Sequence, residues 1–409
     1  MLKMQYTTAS DIKQLNKINI LNFIREKEET TQPEIAKALG ISKPTVSALV
    51  EELISDDYIH IRGIGSSTIH GGKRPKLLAF NHIGKSILSI HINAEVTDGA
   101  LLDLKANILF RIKVKSKLNE GKQKILTSVS DIISELFSKA KELNMPIKGI
   151  GIGCPGLVEI ETGTILHSVN FKELNNLELG KFITEKFRTT VLVDNEDNNL
   201  ALVEHFGVGK GAKSLVSLIT DVGIGAGILL DNQVFRGIDN SFGEIGHTII
   251  DFEGNLCHCG NRGCWETYAS SSALLREVIA HFEQTSILKK LVISPEDVTV
   301  EDIVEAVKMG DQVVRRIAIH DLGKFLGYGI VNIVNTFNPE LVVIHGKITE
   351  LGEELRESIY SCVQERALSI PGKRVEIVFS DLGSNGHILG AGALILNEMF
   401  NRPELLFNY

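Results

Sequence analysis

Nowhere in its 409 residues does this chain hold about eighteen uninterrupted apolar side chains, the length a helix needs to cross a bilayer. Its first residues also lack the basic start, apolar middle and small-residue cleavage site of a leader. Together these absences set an expectation of no membrane association and a cytoplasmic location. Low-complexity tracts are missing too, and 43% hydrophobic with 23% charged residues is the composition of a folded globular protein. Positive charge is not in excess: a net charge of −8 excludes a protein that coats nucleic acid over its whole surface. Five cysteines, an odd number, argue against a disulfide framework and leave metal ligation or free thiols.

At roughly 150 residues per domain, the length predicts two or three units. Charge is unevenly spread, +2 over residues 1–80 and −10 over the rest, so the amino-terminal end is the mildly basic part. There, TTQPEIAKALG places Pro33 early in a helix that Gly40 ends. In ISKPTVSALVEELISDDYI, Ser42 caps a helix whose inward stripe is Val46, Leu49, Val50, Leu53 and Ile54. Only about three residues separate the two helices, which must therefore cross sharply, as in a helix-turn-helix. YIHIRGIGSSTIHGGKRPKLLAFN reads as two strands and a turn, the wing of a winged helix. Such domains set the start of the second helix at base edges. That nominates Ser42, Lys43, Thr45, Ser47 and Ala48 for DNA contact, with Lys43 on phosphate or guanine.

Beyond the wing, strand and helix alternate. SILSIHI, DGALLDL and NILFRIKV are three consecutive strands, a long helix covers about 121–143, and KGIGIGCPGLV is a strand leading into a glycine turn. LVSLITDV, GAGILLD and NQVFRG repeat the opening, followed by a helix around 312–336 and LVVIHG. Two similar halves predict a duplicated α/β architecture with a cleft between lobes. The strongest chemical signal is His247 followed by CHCGNRGC, which gathers His247, Cys257, Cys259 and Cys264 within 18 residues. Three thiolates and an imidazole suit tetrahedral Zn2+, and four protein donors leave no open position for a catalytic water, so the metal is structural. Free thiols beside a satisfied histidine are the alternative; His258 reads as a solvated bystander.

GEIGHTIIDFEGNLCHCGNRGCWE and the upstream DVGIGAGILLDNQVFRG resemble the signature of the ROK family of repressors, open reading frames and kinases. The resemblance runs from about residue 20 onward. It implies an actin-like, ribonuclease H-type two-lobed domain with a sugar in the interlobe cleft, and Glu244, His247 and Glu266 facing that sugar. His247 would serve zinc as well. Asn170 in HSVNF is a further sugar contact implied by the resemblance. Gly71, Gly72, Lys73, Arg74 and Pro75 resemble the linker of ROK repressors, in which Lys73 and Arg74 enter the minor groove.

Whether the sugar is phosphorylated or only sensed turns on four stretches. A ROK kinase cradles ATP phosphates on glycine turns. Where D-x-G-G-T is usual this chain has His91, Ile92, Asn93, Ala94 and Glu95; where G-T-G-x-G is usual it has Asp221, Val222, Gly223, Ile224 and Gly225. I-G-G-G becomes Ile344, His345, Gly346 and Lys347. The fourth stretch, VDNEDNNLALVE, puts Glu196 where the family's kinases carry their general-base aspartate. Its extra methylene shifts the carboxylate by roughly 1 Å, enough to cost about a hundredfold. Asn195 and Glu196 are therefore expected to grip sugar hydroxyls, an N-E pair that echoes the xylose-repressor branch, while Asp194 and Asp197 are turn or capping residues. The expected domains are a winged helix and linker over 1–80, lobe 1 over 81–200 completed by 385–409, and lobe 2 with the zinc motif over 201–384. The predicted function is a sugar-responsive repressor of carbohydrate-utilisation genes. It is a homodimer or dimer of dimers that leaves a near-palindromic operator when sugar binds, and is not an enzyme. The alternatives are a ROK sugar kinase with an added DNA-binding domain, and a repressor controlled by a phosphotransferase protein.

Overall fold

A computed structural model describes residues 8–64, 74–168 and 170–407. The first helix, α1 (Ala9–Lys27), opens with a capping box: Thr8 and Asp11 each accept from the other's amide at 3.1 Å. After β1 (Glu29–Thr31) comes α2 (Gln32–Leu39), which Glu34 caps from the amide of Thr31 at 2.8 Å and which Gly40 ends in the left-handed conformation, φ 67°. α3 (Lys43–Ser55) follows after the expected sharp turn, buries Val46, Leu49, Val50 and Leu53, and leaves Ile54 half-buried. β2 (Ile59–Ile64) and β3 (Lys76–Phe80) form the antiparallel wing, and β1 adds to its far side in the order β1-β3-β2. Residues 65–73 between the wing strands, Gly71, Gly72 and Lys73 among them, lie outside the described residues.

The remaining elements form two sheets. The first comprises β4 (Ser86–Ile92), β5 (Val96–Asp103) and β6 (Ile108–Lys115), then α4 (Lys122–Glu142) and β7 (Ile147–Cys154). A small hairpin of β8 (Leu157–Glu159) and β9 (Thr164–His167) precedes α5 (Leu179–Phe187) and β10 (Val191–Asn195). The strand order is β10-β7-β4-β5-β6. Next come α6 (Glu196–Phe206), β11 (Leu215–Thr220), β12 (Ile224–Leu230) and β13 (Gln233–Val234). The helices α7 (Glu266–Ala269), α8 (Ser271–Ala280), α9 (Leu288–Leu291), α10 (Val300–Lys308), α11 (Gln312–Arg315) and α12 (Leu322–Phe337) lead to β14 (Leu341–His345). α13 (Glu353–Arg366), α14 (Ser369–Arg374), β15 (Glu376–Phe379), α15 (Gly386–Asn401) and α16 (Pro403–Leu406) end the chain.

The second sheet runs β13-β12-β11-β14-β15, the same order as the first: an antiparallel meander of three strands with two parallel strands added to its first. This is the duplicated α/β architecture that the sequence predicts. One expected strand is cut short. NQVFRG pairs over Gln233–Val234 and through the Phe235 amide, which donates to the carbonyl of Ile228 at 2.8 Å; the Phe235 ring packs on Phe242, ring centroids 4.4 Å apart. Residues Arg316–Asp321 form a π-helical segment joining α11 to α12. The combined helix Gln312–Phe337 is long and apolar enough to cross a bilayer by composition, yet Ile317, Leu326, Ile330 and Val334 are buried in the core around the second sheet.

The chain divides into two compact units, Met1–Asp194 with Ala391–Tyr409, and Asn195–Gly390. The first unit therefore joins the two ends of the chain. In it the hydroxyl of Tyr58 donates to the carbonyl of Leu406 at 2.5 Å, and Asn22 Nδ2 donates to the carbonyl of Phe400 at 2.8 Å. Phe407 meets Tyr58 edge-on, Phe400 meets Phe80, Lys17 Nζ lies 4.5 Å over the Phe407 ring, and the Arg25 guanidinium lies 3.9 Å over that of Phe400. Burial accounts for most of this contact, with cation–π attraction adding about 1 kcal/mol per pair.

Candidate functional site

The DNA-facing candidates sit at the start of α3. Ser42, Lys43, Thr45 and Ala48 are exposed and Ser47 is half-buried. Ser42 Oγ accepts the amide of Thr45 at 3.3 Å and pairs with the Thr45 hydroxyl at 2.7 Å, so both hydroxyls are engaged in capping the helix. Lys43 carries the one positive charge among these five residues. Arg74 is exposed beside the wing; Lys73 lies outside the described residues.

In the second unit, glycines bring the chemistry together. A Cβ on Gly246 would stand 2.1 Å from the carbonyl of Ile224, and one on Gly243, φ 107°, would stand 2.1 Å from that of Ala226. The GEIGH segment therefore lies backbone to backbone along β12, held by the amide of Ala226 donating to Gly243 at 3.1 Å. Gly225 on the same strand leaves room for Asp197, and Gly223 just before the strand leaves room for Glu266: Cβ atoms there would fall 2.1 Å and 2.8 Å from those carboxylate oxygens. Asn195 and Glu196 at the start of α6, Glu244 and His247 in GEIGH, and Glu266 at the start of α7 are thus arranged about one glycine-bearing strand. Asn170 belongs to the other unit, exposed in the loop after β9.

Asn195 caps α6, its side-chain oxygen accepting the amide of Asp197 at 2.8 Å. Asp194 and Asp197 are not the turn or capping residues expected of them. Asp194 is buried near the end of β10, because the strand runs two residues beyond its apolar pattern. The carboxyl of Asp197 packs over Gly225, where burial first, then the charges of Glu196, Glu244 and Asp221, push its pKa well above the usual carboxylate range. Burial also raises Asp221. The spacing of Gly223 and Gly225 was the available sign that something bulky and polar approaches β12.

His247, Cys257, Cys259 and Cys264 present donor atoms that all lie within 4.8 Å of one another. His247 Nδ1 is 3.7 Å from Cys257 Sγ, and Cys259 Sγ is 3.7 Å from Cys264 Sγ. Zinc–sulfur bonds of about 2.3 Å at tetrahedral angles require sulfur–sulfur edges of about 3.8 Å, so the donor set fits zinc. A tight knuckle makes this possible: Cys257 accepts from the amide of Gly260 at 3.0 Å, and Gly260 and Gly263 adopt φ of 91° and 73°. Burial pushes the Cys257 and Cys264 thiols up, whereas the amide of Asn261 draws Cys259 down. The two nitrogens of His247 face different groups, Nδ1 the Cys257 sulfur and the carboxylate of Glu266 at 3.6 Å, Nε2 the carboxylate of Glu244 at 3.9 Å. His258 is more than a bystander: its Nδ1 lies 3.1 Å from Glu266, which also accepts from Cys257 at 2.9 Å.

The stretches aligned with kinase phosphate turns hold polar networks. Between β4 and β5, Asn93 Oδ1 accepts the amides of Glu95 and Val96, both at 2.9 Å. At the end of β14, buried His345 meets Ser217 Oγ at 2.9 Å and Glu204 at 3.5 Å, while Ser380 donates to Glu204. Burial draws the imidazole pKa down to about 3, so His345 is neutral. Nothing in the sequence marks Glu204 and Ser380, which are far apart along the chain.

A winged helix followed by a duplicated ribonuclease H-type fold, with a cysteine knuckle between its third and fourth second-sheet strands, defines a DNA-reading regulator. The chain belongs to the ROK family: the model described as ROK family matches residues 87–398, and one described as winged helix-turn-helix DNA-binding matches residues 14–60. It is 36% identical over 405 residues to the xylose repressor of Caldicellulosiruptor bescii, covering 96% of this chain and 98% of that one. A crystal structure of a ROK family transcriptional regulator, a homologue of the Escherichia coli MLC protein, superposes with a TM-score of 0.84 at 28% identity over 97% of this chain and 98% of the other. A ROK glucokinase from Streptomyces griseus shares the fold at TM-score 0.65 and 24% identity, covering 76% of this chain and 98% of its own.

Proposed function

We propose that this protein is a sugar-responsive transcriptional repressor of carbohydrate-utilisation genes: α3 reads operator DNA, and a sugar held in the second unit lowers operator affinity. The observation that carries this reading is one chain with both a winged helix exposing the start of α3 and a carboxylate and imidazole group gathered on β12. Vicinal hydroxyls donate to carboxylates, and Glu196, Glu244 and Glu266 supply three. Asn195 and His247 Nε2 complete the set, with Asn170 as a further contact. By likeness to the xylose repressor, a pentose is the first sugar to try.

Zinc on His247, Cys257, Cys259 and Cys264 would cross-link the loop that carries Glu244 and leads into Glu266. With four protein donors its contribution is rigidity. The protein is cytoplasmic, acts as a homodimer or dimer of dimers, and reads a near-palindrome whose half-sites repeat its own two-fold symmetry. It is not a kinase. His345 and its network fill the end of β14, and Glu95 places a negative charge on the turn that in kinases meets phosphate.

Fluorescence anisotropy on labelled DNA from the upstream region of sugar-utilisation genes, with and without a panel of monosaccharides, tests the reading. One sugar should weaken binding by about 5- to 150-fold, the usual range of allosteric coupling. Binding indifferent to every sugar, or sugar-dependent ATP consumption by the purified protein, overturns it.

A further inference from the structure

Trp265, the chain's single tryptophan, stands between Cys264 of the metal cluster and Glu266 of the sugar group. It is the largest fully buried side chain in the protein. Its indole Nε1 donates to the carbonyl of Phe325 at 2.8 Å. Its fused-ring atoms fill the space over Gly329, where a Cβ would meet Cε2 at 1.9 Å and Cδ2 and Cζ2 at 2.2 Å. Phe325 and Gly329 are four residues apart, hence neighbours on one face of α12. The indole is thus keyed into one step of that helix by a polar contact and a steric one.

The main chain on either side is equally fixed. Trp265 donates its amide to the carbonyl of Thr248 at 2.8 Å, Cys264 pairs with Ile249, and α7 begins at the next residue, Glu266. Any tilt of the indole therefore rotates the start of α7, and the Glu266 carboxylate with it. That carboxylate is almost completely buried and confined by His258 and Gly223, so it has little freedom to correct such a tilt.

We infer that Trp265 is the positioning residue for Glu266: its contact with Phe325 and Gly329 sets the carboxylate that engages sugar, separately from whether the metal cluster assembles. The inference rests on Glu266 being a sugar ligand.

The test uses the full-length, zinc-loaded protein and D-xylose as the probe, with affinity read by calorimetry in every variant, beside thermal shift, metal content and, where Trp265 is retained, its emission. Trp265→Phe keeps an aromatic ring and removes only the N–H and the second ring. It should weaken xylose binding about fivefold, as expected for one neutral hydrogen bond. Gly329→Ala should weaken it about tenfold or more through overpacking, and should shift the tryptophan emission, with the metal content unchanged. The double variant should bind xylose no worse than Trp265→Phe alone, because the smaller ring leaves room for the new Cβ. A residue that merely fills the core would lower the melting temperature in both single variants without this non-additivity in sugar affinity. Unchanged affinity in the single variants, or strictly additive losses in the double, overturns the positioning role while leaving the sugar site standing. A wild-type protein that binds none of the common pentoses or hexoses overturns the sugar reading and this inference together.

Discussion

The two sheets have one strand order but unequal connections. The first passes from its third to its fourth strand through residues 116–146, essentially one helix, α4. The second makes the same passage through residues 235–340, which contain GEIGH, the cysteine knuckle, Trp265 and six helices. Strand order is dictated by backbone pairing and the hand of the crossovers, so both copies retain it. Side-chain chemistry is under no such constraint and has accumulated in the longer connection of one copy. What differs between the halves is therefore cargo rather than frame, and this division predicts which changes damage response and which damage only DNA reading.

The largest effect should come from the knuckle. Cys264→Ser, or prolonged chelation, should abolish sugar response, so that the roughly 2.7 kcal/mol a ligand at about 100 times its dissociation constant adds to stability disappears from the thermal shift. Operator binding should stay within about threefold of wild type, below the roughly 0.7 kcal/mol which that ratio represents. Equal loss of both activities would mean the knuckle supports the whole frame. Next is Glu196→Gln, which exchanges a charged acceptor for a neutral one. Xylose affinity by calorimetry should drop by about 10- to 100-fold, given about 1.5–3 kcal/mol for a hydrogen bond to a charged group. An unchanged isotherm would remove Glu196 from the sugar group.

On the other side of the comparison, Lys43→Ala should cost operator affinity about 1 kcal/mol and lower the salt dependence of binding by about one phosphate contact, leaving the sugar isotherm alone. A salt slope identical to wild type would place Lys43 away from the backbone. The smallest expected effect concerns pH. Buried His345 holds its pKa near 3 against an ordinary 6.5, so below pH 6.5 the unfolded chain takes up a proton that the folded chain refuses. Between about pH 6.5 and 6 stability should therefore fall by less than about 0.7 kcal/mol from this group, at no more than about 1.4 kcal/mol per pH unit. His345→Gln should flatten that slope in denaturant titrations; a slope as steep as wild type would assign the acid sensitivity elsewhere.

Much of this was legible in the sequence because the signals are local. Pro33, Gly40 and Ser42 punctuate α2 and α3 within a dozen residues, and the cysteine spacing is a property of one loop. The duplicated strand runs declare themselves by period alone. What escaped depends on side chains meeting across long stretches of chain. Asp197 does stand in the first turn of α6, but its burial escaped because its partner is an absent Cβ on Gly225, which leaves little trace at position 197 itself. The Glu204, His345 and Ser380 network joins three distant segments, none of which is unusual alone. NQVFRG has the composition of a full strand, but its pairing with β12 reaches only to the Phe235 amide.

The contact of the winged helix with α15 and α16 also bears on the order of folding. The Tyr58 hydroxyl and the Leu406 carbonyl that accepts from it stand 348 residues apart in sequence. Until α15 and α16 dock, the aromatic face of Tyr58 and Phe80 lacks its partners Phe407 and Phe400, so the DNA reader is completed by long-range contacts rather than by its own helices alone.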